Sequence, residues 1–143
     1  MKRSLTLILV GAAVLWLGLS AGAQGGDKFR ARLSPVPVEA ATVAGITGSG
    51  SATAALAGTT LAITGTFEGL RSPATAAHIH LGGRGIRGPA IFDLTVSKGM
   101  NGTIGGKLTL NRAQVEDLKK GRFYVQINSE KAPEGNLWGW LLQ

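Results

Sequence analysis

Residues 75–96 read TAAHIHLGGRGIRGPAIFDLTV, and the choice of fold turns on the residues behind the glycines. Gly83-Arg84-Gly85-Ile86-Arg87-Gly88 fits the G-x-G-x-x-G form of a dinucleotide-binding turn. That turn works only where a helix opens directly behind it and aims its N-terminus at the pyrophosphate. Here Pro89 and the alternating run AIFDLTV come next, with Phe92, Leu94 and Val96 on one face, the pattern of a strand. The glycines therefore form a turn between two strands, with Arg84 and Arg87 solvated at its tip, and nucleotide binding is rejected. In the strand before the turn, Ala77, Ile79 and Leu81 form the apolar set that faces the core, which sends His78 and His80 outward.

The same alternation runs through the rest of the chain, which is rich in Gly, Thr, Ala and Val. Lys28 to Leu33 is a first strand, broken by Ser34-Pro35-Val36-Pro37. Ser49 to Ala57 and Thr59 to Leu70 pair around Gly58, and Gly102 to Leu110 comes after the histidine region. Asn111-Arg112-Ala113-Gln114 has the form of a capping box, so a single helix is expected from Arg112 to Lys120, ended by Gly121. Arg122 to Asn128 and Asn136 to Leu142 close the chain as two strands around Glu130 to Gly135. Short strands separated by turn signals, with one short helix, predict an all-β antiparallel sandwich.

The two imidazoles stand roughly 6.6 Å apart along their strand, close enough to converge on one ion. Structural zinc takes four protein ligands and catalytic zinc usually three. The chain has no cysteine and no third histidine, and Met100 is its only sulfur after the first residues. Asp93, Glu130 and Glu134 are candidates to complete a mixed site, but no spacing brings them there. No cofactor is expected on this inventory, with His78 and His80 as the remaining metal candidates. A hydrogen-bonding role or a partner contact is the expectation for the pair. Elsewhere there is no G-x-S-x-G, no H-E-x-x-H and no P-loop, and the carboxylates are scattered.

The first residues, MKRSLTLILVGAAVLWLGLSAGAQ, place Lys2 and Arg3 before an apolar run and end it with Ala21-Gly22-Ala23, the small-x-small form of a secretion signal cleaved after Ala23; a retained membrane anchor is the competing reading, which the small residues disfavour. Loss of residues 1–23 leaves 120 residues, enough for one domain, and lowers the net charge from +7 to +5. An exported domain without cysteine must rely on packing and hydrogen bonds for stability. The basic surplus is dispersed and not interleaved with aromatics, which argues against nucleic-acid binding. It suits an anionic envelope polymer, or equally a soluble surface with excess lysine. No stable membrane insertion is expected after the signal is removed.

Three stretches, FRARLSPVPV, TAAHIHLGGRGIRGPAIFDL and LTLNRAQVEDLKKGRFYVQINSEKAPEGNLWGWLL, together resemble the CHRD domain, the module named for chordin, over residues 24–143. The resemblance implies an immunoglobulin-like Greek-key sandwich, similar in outline to copper-zinc superoxide dismutases, with no settled activity in bacteria. Two positions depart from the family pattern. Where many members resemble Y-V-N-I-H-T, this chain has Tyr124-Val125-Gln126-Ile127-Asn128-Ser129, so Asn128 stands in place of a third histidine. Tyr124, Gln126 and Asn128 face outward by alternation, like the histidine pair.

In the last strand, where the family often resembles G-E-I-R-G-Q-L, this chain reads Gly135-Asn136-Leu137-Trp138-Gly139-Trp140-Leu141. Trp138 and Trp140 then lie on the outward face, an apolar patch suited to a sugar ring, to another protein, or to the chain's own N-terminal segment. The expectation is an exported, non-enzymatic binding or structural module of the cell envelope. Its surface would be Trp138, Trp140, His78 and His80, rimmed by Arg84 and Arg87, and its partner an unknown protein or envelope polymer. The other reading is a metal-binding or superoxide-dismutase-like redox protein built on His78 and His80.

Overall fold

The computed structural model describes residues 25–143, so the proposed signal at 1–23 lies outside the described residues. Eight strands run in chain order: β1 (Asp27–Pro35), β2 (Ser49–Ala57), β3 (Thr60–Glu68), β4 (Ala74–Leu81), β5 (Ala90–Val96), β6 (Gly102–Thr109), β7 (Phe123–Ser129) and β8 (Ala132–Trp140). One helix, α1 (Arg112–Lys119), links β6 to β7. Asn111 caps it as the sequence predicts: its Oδ1 accepts from the Gln114 amide at 2.8 Å, and Gln114 Oε1 accepts from the Asn111 amide at 2.9 Å. Gly121, at φ +70°, turns the chain out of the helix. No helix among the described residues is long and apolar enough to cross a membrane.

The strands are antiparallel, in the order β1-β2-β3-β6-β5-β4-β7-β8, and the ends meet, so the architecture is a closed barrel and not the open sandwich expected. The links from β3 to β4 and from β6 to β7 each pass two intervening strands, which is Greek-key connectivity. Two short seams effect the closure. At one, Ser34 and Pro35 pair with Trp138 and Leu137; at the other, Thr95 and Val96 pair with Gly105 and Ile104. Ser34 and Pro35, expected to end the first strand, are thus the residues that close the barrel. A proline is tolerated there because such a seam asks for few ladder donors.

Inside the barrel, alternation holds. Phe29, Leu33, Leu61, Ile63, Ile79, Val125, Ile127, Leu137 and Leu141 fill the interior, and Leu118 of α1 plugs one end. A second, smaller apolar cluster lies outside the barrel wall, where the chain from Val36 to Ile46 folds over β7 and β8. Buried Asn136 fixes that flap, its Nδ2 donating to the Thr47 carbonyl at 2.7 Å and its Oδ1 accepting from Ser129 Oγ at 3.0 Å. Both faces of β7 are consequently buried from Phe123 to Ile127.

Candidate functional site

Strand β7 lies between β4 and β8, which places the histidines and tryptophans on one continuous outer face. Two rows cross it: His80 opposite Tyr124 opposite Trp140, and His78 opposite Gln126 opposite Trp138. The rings interlock along these rows. His80 stacks on Tyr124 with centroids 4.9 Å apart, Tyr124 meets Trp140 at 4.7 Å, and Trp140 meets Trp138 edge-on at 4.7 Å. Trp138 is therefore closed off from solvent, and Trp140 is half-buried. Trp138 is 7% exposed, covered by Val36 and Ile46 of the flap and by the Arg87 guanidinium 5.7 Å above its ring. Of the coverings the sequence allows, the structure shows the chain's own N-terminal segment.

The glycine-rich turn holds the other side of the site. It leads into β5 at Ala90 with no helix, as expected. Gly88 is its anchor: its amide donates to the Tyr124 hydroxyl at 2.9 Å, and its carbonyl accepts from His80 Nδ1 at 2.8 Å and from the Tyr124 hydroxyl at 3.3 Å. A side chain at 88 would drive into the Leu81 carbonyl, so only glycine lets the turn fold back this closely. Trp140 Nε1 donates to the Gly82 carbonyl at 2.9 Å, tying the last strand to the same turn. Arg87 donates to the Glu134 carbonyl at 3.0 Å and so reaches the site. Arg84 stays exposed and has no hydrogen bond or ion pair among the described residues.

An open hollow of about 310 Å³ lies between His78, His80, Arg87, Gln126, Asn128 and Glu134. Gln126 is buried and donates from Nε2 to Asn128 Oδ1 at 3.0 Å and to the Glu134 carbonyl at 3.3 Å. Of the expected acidic candidates, Asp93 places its Oδ1 3.6 Å from His78 Nε2, and Glu134 lines the hollow and contributes its carbonyl to the wall. His80 Nε2 is buried and has no hydrogen-bond partner among the described residues. Tyr124, Gln126 and Gly88 belong to the site although the sequence did not single them out. Alternation had put Tyr124 and Gln126 on the correct face, but the pairing of β7 with β4 has no local signal.

Burial holds His80 below the ordinary histidine value of 6.5, and the charges of His78 and Arg87 add to this, while the bond to Gly88 opposes it. A histidine whose charged form is disfavoured in the fold contributes stability above its unfolded value, and this is lost as pH falls from 6.5 toward the lowered folded value. In urea denaturation with a chelator present, the wild type is expected to lose stability between neutral and mildly acidic pH. His80→Gln, still beside His78, Arg87 and Tyr124, should flatten that slope; equal slopes would show that His80 is not the group responsible.

The chain has no significant match among curated proteins or among solved structures. The CHRD domain model, in contrast, matches residues 29–141, from Phe29 in β1 through both rows of the site to Leu141. The module that the barrel and its outer aromatic rows make up is thereby identified, and the chain belongs to the CHRD domain family.

Proposed function

We propose that this protein is an exported, non-enzymatic binding module of the cell envelope that takes its ligand in the hollow on the outer face of β4 and β7. The observation that carries this reading is the hollow itself. Polar groups from three strands and the glycine-rich turn converge on it, and the buried ring of Tyr124 forms part of its wall. Rigid support beneath a few convergent polar groups is how a binding site is preorganised. The signal-like residues 1–23 support export, and the basic balance supports an anionic setting. Neither imidazole hydrogen-bonds a hydroxyl of Ser or Thr among the described residues, which supports binding over nucleophilic chemistry. A second reading, metal binding at the histidine pair, draws on the unpartnered Nε2 of His80.

The test is fractionation of cells producing the full chain, with mass analysis of the product. The expected result is a protein that has lost residues 1–23 and is retained by isolated envelope material, with retention weakened by Arg87→Ala. An unprocessed cytoplasmic protein, or a processed one that never associates with envelope material, would overturn the reading.

A further inference from the structure

We infer that His78 and His80 hold a borderline divalent ion, copper(II) or zinc(II), on their imidazole nitrogens at the edge of the hollow. The inference rests on reading the hollow as a binding site and names the class of ligand it takes. A carbonyl oxygen only accepts, so the 2.8 Å contact with Gly88 puts the His80 proton on Nδ1 and leaves a lone pair on Nε2. That atom is buried without a partner among the described residues. An acceptor in this state is destabilising until something donates to it or is coordinated by it. A backbone carbonyl fixing the tautomer through the far nitrogen is the usual support of a metal-ligating histidine.

The second ring is placed to join it. The His78 and His80 centroids are 5.9 Å apart with their planes at 82°. At a metal–nitrogen distance of about 2.0–2.1 Å, each ring centre stands about 3.2 Å from the ion, so two rings at a tetrahedral angle stand about 5.2 Å apart. Closing that gap takes less than an ångström, and His78 is the ring able to move. Its contact with Asp93 is 3.6 Å, too long for a hydrogen bond, and its side chain is 24% exposed.

Two imidazoles select copper and zinc over magnesium and calcium, which seek oxygen, and copper binds such donors more tightly than zinc. The described residues contain no group of three or more His, Cys, Asp and Glu side chains that could complete a closed site. The Asn128 oxygen is engaged by Gln126. The ion is thus bound weakly and exchangeably, with positions left for water or an outside donor.

Isothermal titration of the chelator-treated mature protein with copper(II), zinc(II) or magnesium, joined to electron paramagnetic resonance of the copper form, tests this. The expected result is one ion per chain with a Kd on the order of micromolar, copper tighter than zinc, no response to magnesium, and coupling to two imidazole nitrogens. His78→Ala, at the less buried ring, and His80→Gln should each weaken binding by roughly ten- to a hundredfold and remove one coupling. No copper binding, or binding unchanged by either substitution in folded protein, overturns the inference. Envelope retention without metal binding would leave the hollow with a different ligand; metal binding without retention would remove the envelope reading and keep the ion.

Discussion

Trp138→Ala is expected to lower the unfolding free energy by about 3–5 kcal/mol, the range for truncating a buried aromatic side chain. The indole is 7% exposed and sits at the centre of the outer cluster, against Tyr124 at 5.7 Å, Trp140 at 4.7 Å and the flap residues Val36 and Ile46. Its removal leaves a void that the flap cannot fill, because Asn136 fixes the far end of that segment through Thr47. Paired aromatics add about 0.5–1.5 kcal/mol beyond the area they bury. A tryptophan kept on the surface for a partner behaves otherwise, since substitutions at such positions usually change stability by less than about 0.5 kcal/mol. Urea denaturation separates the two cases. Amide exchange at Val36, which donates to the Asn136 carbonyl at 3.0 Å, should accelerate in the variant. A stability change below about 1 kcal/mol would mean that the indole is not the keystone of the flap.

The same cluster shows what the sequence could and could not reveal. Strand alternation put Ile79, Val125, Leu137 and Leu141 in the interior and turned His78, His80, Trp138 and Trp140 to the outside, and so they are. The capping residues Asn111 and Gln114 located the helix to within a residue, because capping is a local interaction. Closure was not legible. A sandwich and a barrel have the same period of two, and they differ in whether the outermost strands find each other. That depends here on Ser34 and Pro35 reaching Trp138 and Leu137, a contact about a hundred residues apart in sequence. The second layer was hidden for a related reason. Alternation says that Tyr124 and Gln126 point away from the barrel interior, but not that a flap lies over one of them and a hairpin carbonyl meets the other.

Gly139→Ala is expected to destabilise the protein by about 1–3 kcal/mol or more, and to do so by opening the seam between β1 and β8. A Cβ at 139 would overlap the Arg32 carbonyl oxygen and come within 2.9 Å of its carbon and 3.0 Å of Leu33 Cδ2. These are mainly backbone atoms, which cannot turn aside as the end of a flexible side chain can. The added methyl must therefore push β8 from β1 next to the pairs that close the barrel.

Gly105 provides the control at the opposite seam. Its added Cβ would meet Ile63 O at 3.5 Å and Thr95 Oγ1 at 3.7 Å, ordinary contact distances. Gly105→Ala should be neutral, or stabilising by about 0.4–1 kcal/mol through the unfolded chain. The pair thus tests closure and not glycine content. In Gly139→Ala, the reciprocal bonds from Arg30 N to Leu142 O at 2.7 Å and from Leu142 N to Arg30 O at 2.9 Å should lose hydrogen-exchange protection, while the β2–β3 ladder keeps it. Equal stability of the two variants, with both amides still protected, would mean that an added methyl at 139 is accommodated and that β1 and β8 do not approach each other as closely there as the contact with the Arg32 carbonyl requires.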